Sequence, residues 1–312
     1  MIAILGPSGT GKSTLRHLCM REFFGHADQW GLGRIPVVEV YPALSSNAFF
    51  NSRSLADALH DRLNVPDLTW LGDPSKMPGW HAELLQEIAR RSEQWQRLKR
   101  RQMTESQIWS AVKQCITARS CRFISLEQVT SLMVNRHNTE PATHLLNLLN
   151  IAEETQCMLI LTGVHAAFRM WGTHSELRRR ISPIWVGNYN PNTPGDELRF
   201  KRLLKTVGEG WPLVPQSLLV DMAADIMAAT AGVIGEVEML LDRAAVLARV
   251  EGNDVIRKRH LTTSYYNVHD QENLWRDVDD FWQVAVGADV NKRAAHVTAL
   301  WSKQRVTGAT QT

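Results

Sequence analysis

Gly6-Pro7-Ser8-Gly9-Thr10-Gly11-Lys12-Ser13, near the start of a 312-residue chain, meets every fixed position of G-x-x-x-x-G-K-[ST]. The flanks constrain the fold as much as the motif does. Ile2-Ala3-Ile4-Leu5 is an apolar run of the kind a buried parallel strand has, and Thr14 to Met20 has helix-compatible spacing. Strand, glycine loop and helix in that order aim backbone N–H groups at phosphate oxygens and add the partial positive charge of a helix N-terminus. Residues Gly6 to Thr14 are therefore expected to bind a nucleoside triphosphate. Lys12 is expected to reach the β- and γ-phosphates and the Ser13 hydroxyl to hold Mg²⁺, which makes ATP and Mg²⁺ the expected cofactors.

The rest of the chain reads as alternating strands and helices up to about residue 186. Ile35 to Tyr41, Arg122 to Leu126 and Met158 to Gly163 read as strands; residues 55–63, 81–101, 104–116 and 143–154 read as helices. Thr104-Glu105-Ser106-Gln107 is a capping box. Such alternation argues a parallel α/β sheet flanked by helices. Asn188 to Gly195, with two prolines and a glycine, marks a boundary. Beyond it the pattern turns helical, at 196–206, 216–230, 233–250 and 271–286. No run approaches the roughly 18 apolar residues of a membrane span. The cysteines (Cys19, Cys115, Cys121, Cys157) form no C-x-x-C pair and no zinc spacing, so they read as reduced core thiols of a cytosolic protein. Net charge is only +3, so any nucleic-acid case has to rest on where the charges lie.

Hydrolysis of a γ-phosphate needs a carboxylate near the attacking water, a group that senses the phosphate, and positive charge for the transition state. Glu127 ends the strand Phe123 to Leu126 and is placed to polarise a water. The usual pattern at that point is Asp-Glu, and this chain has Leu126 where the metal-assisting aspartate stands. Ser125 offers only a hydroxyl, a poor oxygen for a hard cation. Weak Mg²⁺ binding and slow ATPase turnover are expected, and Leu126→Asp is expected to raise the rate. Thr162 ends the next strand and is the candidate sensor. Arg178-Arg179-Arg180 offers a candidate arginine finger, with Arg180 the favoured residue.

Together these residues resemble the TnsC/TniB-type AAA+ regulators of DNA transposition, relatives of the IstB helper ATPases. The points of likeness run collinearly from Ile2 to about Leu261: G-P-S-G-T-G-K-S, I-P-V-V-E-V-Y-P, F-I-S-L-E-Q, L-I-L-T-G-V-H-A-A, E-L-R-R-R-I-S-P-I and A-G-V-I-G-E-V-E-M-L-L-D-R-A-A. The last two are the most specific, because generic P-loop proteins lack them. The resemblance implies an AAA+ nucleotide-binding domain over residues 1–187 and a helical lid over 188–265, where Gly235 lets the backbone approach the nucleotide. A C-terminal helical tail over 266–312 is a possible partner-docking segment. It implies an oligomeric ring or filament on double-stranded DNA that recruits a transposase and answers to a TniQ-type targeting protein in the bacterial cytosol. The chain departs from the family at Leu126, at Val164 where relatives have a sensing threonine, and in lacking the relatives' upstream segment. Either later segments hold the base or the natural protein begins upstream of Met1.

In relatives the DNA path runs just after the second strand and at the next helix start. Here those zones hold Ser52, Arg53 and Lys76, at helix N-termini suited to phosphate oxygens. A rival path comes from composition alone. Arg90, Arg91, Arg97, Lys99, Arg100, Arg101, Lys113, Arg119 and Arg122 are opposed only by Glu93 and Glu105, with Arg90, Arg97 and Arg101 near one helix face. Trp95 and Trp109 fit the core at their spacing better than a stacking platform. Two other classes share the P-loop: a small-molecule or nucleotide kinase, and a switch that binds ATP without hydrolysing it.

Overall fold

The computed structural model describes residues 1–25, 27–31, 33–42, 44, 49–71, 86, 103–134, 140–211 and 214–286. The chain forms two compact units. One comprises Met1–Gly6 and Gly11–Val186; the other comprises Pro7–Thr10 and Gly187–Thr312.

The first unit is built on five strands: β1 (Ile2–Gly6), β2 (Val37–Val40), β3 (Phe123–Leu126), β4 (Met158–Val164) and β5 (Ser182–Trp185). They form one parallel sheet in the order β2-β3-β4-β1-β5. Its helices are α1 (Lys12–Phe24), α2 (Ser52–Asn64), α3 (Glu105–Ala118), α4 (Pro141–Thr155) and α5 (Ser175–Arg180). Apolar strand runs covered on both faces are what such a sheet requires. Leu5, Val38, Ile124, Leu159 and Leu161 are all buried in one core with Leu59 of α2, Val112 of α3 and Leu145 of α4.

Element ends follow local chemistry. β2 is shorter than the run Ile35 to Tyr41 because Pro36 has no N–H to donate; its carbonyl instead accepts from the amides of Arg122 and Phe123. The capping box at α3 forms as the sequence predicts. The Thr104 amide donates to Gln107 Oε1 at 2.8 Å and the Gln107 amide to Thr104 Oγ1 at 3.4 Å. The Asn51 side chain caps α2 by accepting from the Ser54 amide at 3.2 Å. The expected helix over residues 81–101 lies outside the described residues, apart from Gln86, which is helical.

The second unit carries α6 (Asp196–Glu209), α7 (Gln216–Asp221), α8 (Ala223–Thr230), α9 (Ile234–Val250), α10 (Lys258–Thr263) and α11 (Val268–Val286). Phe200, Leu204, Leu219, Ile226, Leu240 and Leu241 close its core. The single helix expected over 216–230 is two, divided at Met222, whose backbone (φ −96°, ψ 13°) leaves helical geometry. Both Leu219 and Met222 are buried across that break. Apolar side chains of α11 pack within this unit: Val278 packs with Ala231 and Val233, and Phe281 is 1% exposed. The Trp275 indole donates to the Ala228 carbonyl at 3.0 Å and the Trp282 indole to Asn188 Oδ1 at 2.9 Å. Residues 287–312 lie outside the described residues. Among the described residues no helix is long and apolar enough to cross a membrane.

Cys115, Cys121 and Cys157 are buried, as expected, but Cys19 is exposed. The reason is the geometry of α1, which buries only Arg16 and Met20 and so turns Cys19 outward.

Candidate nucleotide site

The glycine loop leaves the C-terminal end of β1 at Gly6 and enters α1 at Lys12. Gly9 and Gly11 have φ of +76° and +80°, values that side chains resist. The Thr10 hydroxyl turns back to donate to the Pro7 carbonyl at 3.0 Å, which braces the loop. The first intrahelical bond runs from the Leu15 amide to the Gly11 carbonyl at 2.8 Å. The first turn of α1 precedes that bond, and a helix N-terminus of this kind suits an anion.

The acid that meets this loop is Glu127. The Ser13 hydroxyl donates to Glu127 Oε2 at 3.3 Å. Leu126 has no exposed surface and lies in the apolar core. Side chains alternate across a strand, so Ser125 and Glu127 face α1 while Leu126 faces away. The expectation for Leu126→Asp is thereby corrected: a carboxylate there enters the core rather than the P-loop.

Beneath the loop stands a group of charges that the sequence reading missed. Arg16, only 1% exposed, pairs with Glu127 Oε1. Its Nη1 donates to Ser125 Oγ at 3.0 Å and its Nη2 to Glu39 Oε1 at 2.8 Å. Glu39 of β2 stands opposite Ser125 of β3 in the strand register. His17 Nε2 lies 2.9 Å from Glu39 Oε2. Burial pulls the Arg16 pKa down, and the charge of Glu39 offsets part of that. Burial pushes Glu39 up, but its hydrogen bond with His17 and the Arg16 charge outweigh this and hold it below the usual carboxylate range. Ser125 thus serves Arg16. The available signal was Glu39 itself, an acid inside an apolar strand, which demands a partner.

Thr162 pairs with Ile4 of β1, the strand that feeds the loop. It is 1% exposed, and its hydroxyl has no hydrogen-bond partner among the described residues. A buried orphan hydroxyl at the head of β4, the N-terminus of α1 and a hydroxyl–carboxylate pair at Ser13 are groups a Mg²⁺–nucleotide requires. These residues fit that ligand. Among the described residues no group of three or more His, Cys, Asp or Glu side chains could hold a metal.

The remaining candidates lie elsewhere. Arg180 ends α5 just before β5, where it pairs with Glu153 and, at 3.5 Å, with Glu176. In the C-terminal unit, Gly235 opens α9 and its amide donates to the Gly9 carbonyl. Ser52 and Arg53 begin α2; the Ser52 hydroxyl accepts from the Trp109 indole at 3.1 Å. Trp109 is partly buried against the core. Lys76, Arg97, Arg101 and Trp95 lie outside the described residues.

The parallel five-stranded sheet flanked by helices, with a P-loop on its first strand, is the AAA+ P-loop NTPase fold. Among solved structures the chain is similar to the ORC2 protein of Aeropyrum pernix, determined as ADPNP and ADP complexes. The TM-score is 0.55, with 15% identity over 87% of this chain and 62% of that one. It is also similar to Cdc6p of Pyrobaculum aerophilum, with a TM-score of 0.52 and 14% identity over 84% of this chain and 59% of that one. The chain thus spans less than two thirds of either protein, and at such identities the likeness is one of fold. No protein-family model matches the sequence, and a search of curated proteins finds no match.

Proposed function

We propose that this chain is an ATP-dependent, DNA-binding AAA+ regulator of transposition. In this reading it oligomerises as a ring or filament on double-stranded target DNA in the bacterial cytosol. There it recruits or activates a transposase and links it to a TniQ-type targeting protein. The observation that carries the nucleotide part is the Ser13–Glu127 hydrogen bond at the head of a P-loop in an AAA+ fold. The transposition part rests on the sequence resemblance. The AAA+ fold supports it, as do the positions of its two most specific motifs. Glu176 to Ile184 make the α5–β5 corner, and Ala231 to Ala245 open α9.

Lys12 and the loop amides hold the phosphates, Ser13 holds Mg²⁺, Glu127 supplies the carboxylate of the site and Thr162 reads the γ-phosphate. When bound, Mg²⁺ neutralises charge on the β- and γ-phosphoryl oxygens. Arg180 enters a neighbouring subunit's site. Its pairs with Glu153 and Glu176 are substantially exposed, and such pairs contribute only about 0–1 kcal/mol, so they exchange readily for a phosphate. Ser52, Arg53 and Lys76 follow the DNA backbone, with Arg97 and Arg101 as the rival path.

The test is negative-stain microscopy of the protein with linear duplex DNA, with and without a slowly hydrolysed ATP analogue. Regular assemblies on DNA only with the analogue are expected. Assemblies that form equally without nucleotide, or none under either condition, contradict the reading.

A further inference from the structure

We propose that Arg16 is a positioning residue that makes Glu127 the metal-side acid of the nucleotide site. This rests on the nucleotide reading above and goes beyond it, because it assigns Glu127 a different task from polarising the attacking water.

The strand geometry excludes position 126 from that post. Leu126 is wholly buried and faces away from α1, whereas Ser125 and Glu127 both meet Arg16. Glu127 is the acid that reaches the P-loop serine. A glutamate has one more rotatable bond than an aspartate and loses more freedom when held in place. Arg16 holds it: the guanidinium takes Oε1 and leaves Oε2 directed at Ser13. Arg16 is itself fixed from two strands, by Ser125 at 3.0 Å and Glu39 at 2.8 Å. His17, 2.9 Å from Glu39, steadies the far end. The planar guanidinium suits this task because it addresses several oxygens at fixed angles, which an ammonium cannot do. A carboxylate with one oxygen on Arg16 and the other on Ser13 is committed to the metal side.

The experiment measures the Mg²⁺ concentration that half-saturates binding of a fluorescent ATP analogue, with hydrolysis followed in parallel. Glu127→Gln is expected to raise that concentration roughly 10–100-fold, as loss of an outer-sphere metal partner does. Arg16→Met is expected to shift it in the same direction, and Arg16→Lys to recover only part of the loss. Arg16→Met leaves two carboxylates in the interior, so Arg16→Met with Glu39→Gln is measured beside it, with folding checked by circular dichroism. If Glu127→Gln keeps the wild-type Mg²⁺ requirement and only stops turnover, Glu127 is the water-polarising base and the proposal is wrong. A folded double variant with the wild-type Mg²⁺ requirement overturns the role of Arg16. Wild-type protein that fails to bind the analogue at any Mg²⁺ concentration refutes the nucleotide reading itself, a distinct result.

Discussion

The backbone amide of Gly235 donates a 2.8 Å hydrogen bond to the carbonyl of Gly9, and a Cβ on either residue would crowd its neighbours. A Cβ on Gly235 would lie 3.0 Å from Gly9 Cα, and one on Gly9 would lie 3.1 Å from Val233 Cγ1. Gly235→Ala should therefore displace the tip of the glycine loop, at a cost of about 1–3 kcal/mol for overpacking. It should also weaken binding of a fluorescent ATP analogue. Gly210→Ala, where a Cβ meets only the Val207 carbonyl at 3.4 Å, is the control. Equal affinities for Gly235→Ala and wild type would show that the contact does not matter to the loop.

Glu39 gives a pH signature. Its folded-state pKa lies below the ordinary carboxylate value, so its contribution is complete above the unfolded value of about 4.3. That contribution is lost as pH falls through the lower folded value. Wild type should lose stability more steeply than Glu39→Gln on acidification below that point, and the two should run parallel near neutrality. Urea midpoints for both proteins across a pH series check this. Parallel curves throughout would mean the carboxylate is not held as the structure places it.

Cysteine reactivity should be sharply divided. Burial, chiefly, pushes the Cys121 thiol up to about 12, while Cys19 is exposed on α1. Because the thiolate is the nucleophile, iodoacetamide at pH 8 should alkylate Cys19 in the native protein and Cys121 only after unfolding. Peptide mass spectrometry reads the outcome, and native labelling of Cys121 would contradict the packing of β3.

Arg180 should act between subunits. Arg180→Ala is expected to leave ATP binding by isolated subunits unchanged and to impair hydrolysis in the assembled protein. Phosphate release across a protein concentration series tests this. Rates equal to wild type at every concentration would assign Arg180 to its pairs with Glu153 and Glu176 alone.

Much of the first unit was legible because strong local signals agree there. Ile2 to Leu5 before a glycine loop could only be a buried strand, and Thr104 with Gln107 fixed the start of α3. The break at Met222 was not legible, because nothing in 216–230 breaks a helix; packing of Leu219 and Met222 into one core imposes it.

The candidate site was half legible. The loop carries its chemistry in consecutive residues, so Lys12 and Ser13 could be named at once. Arg16 could not, since a lone arginine on a helix looks like a surface charge until Glu39, Ser125 and Glu127 arrive from two strands. Leu126 misled for a related reason. Sequence order suggests which residue replaces an aspartate, but strand alternation decides which side chain reaches the loop.

The central claim is nucleotide-dependent binding to duplex DNA. Fluorescence polarisation on two unrelated labelled duplexes, over a salt series with and without ATP, tests it most directly. Binding is predicted only with ATP, falling steeply with salt as each neutralised phosphate releases counterion. Lys12→Ala should abolish it, and Arg53→Ala should weaken it about equally on both duplexes. Binding that is indifferent to ATP and to Lys12→Ala, or absent under every condition, would contradict the account.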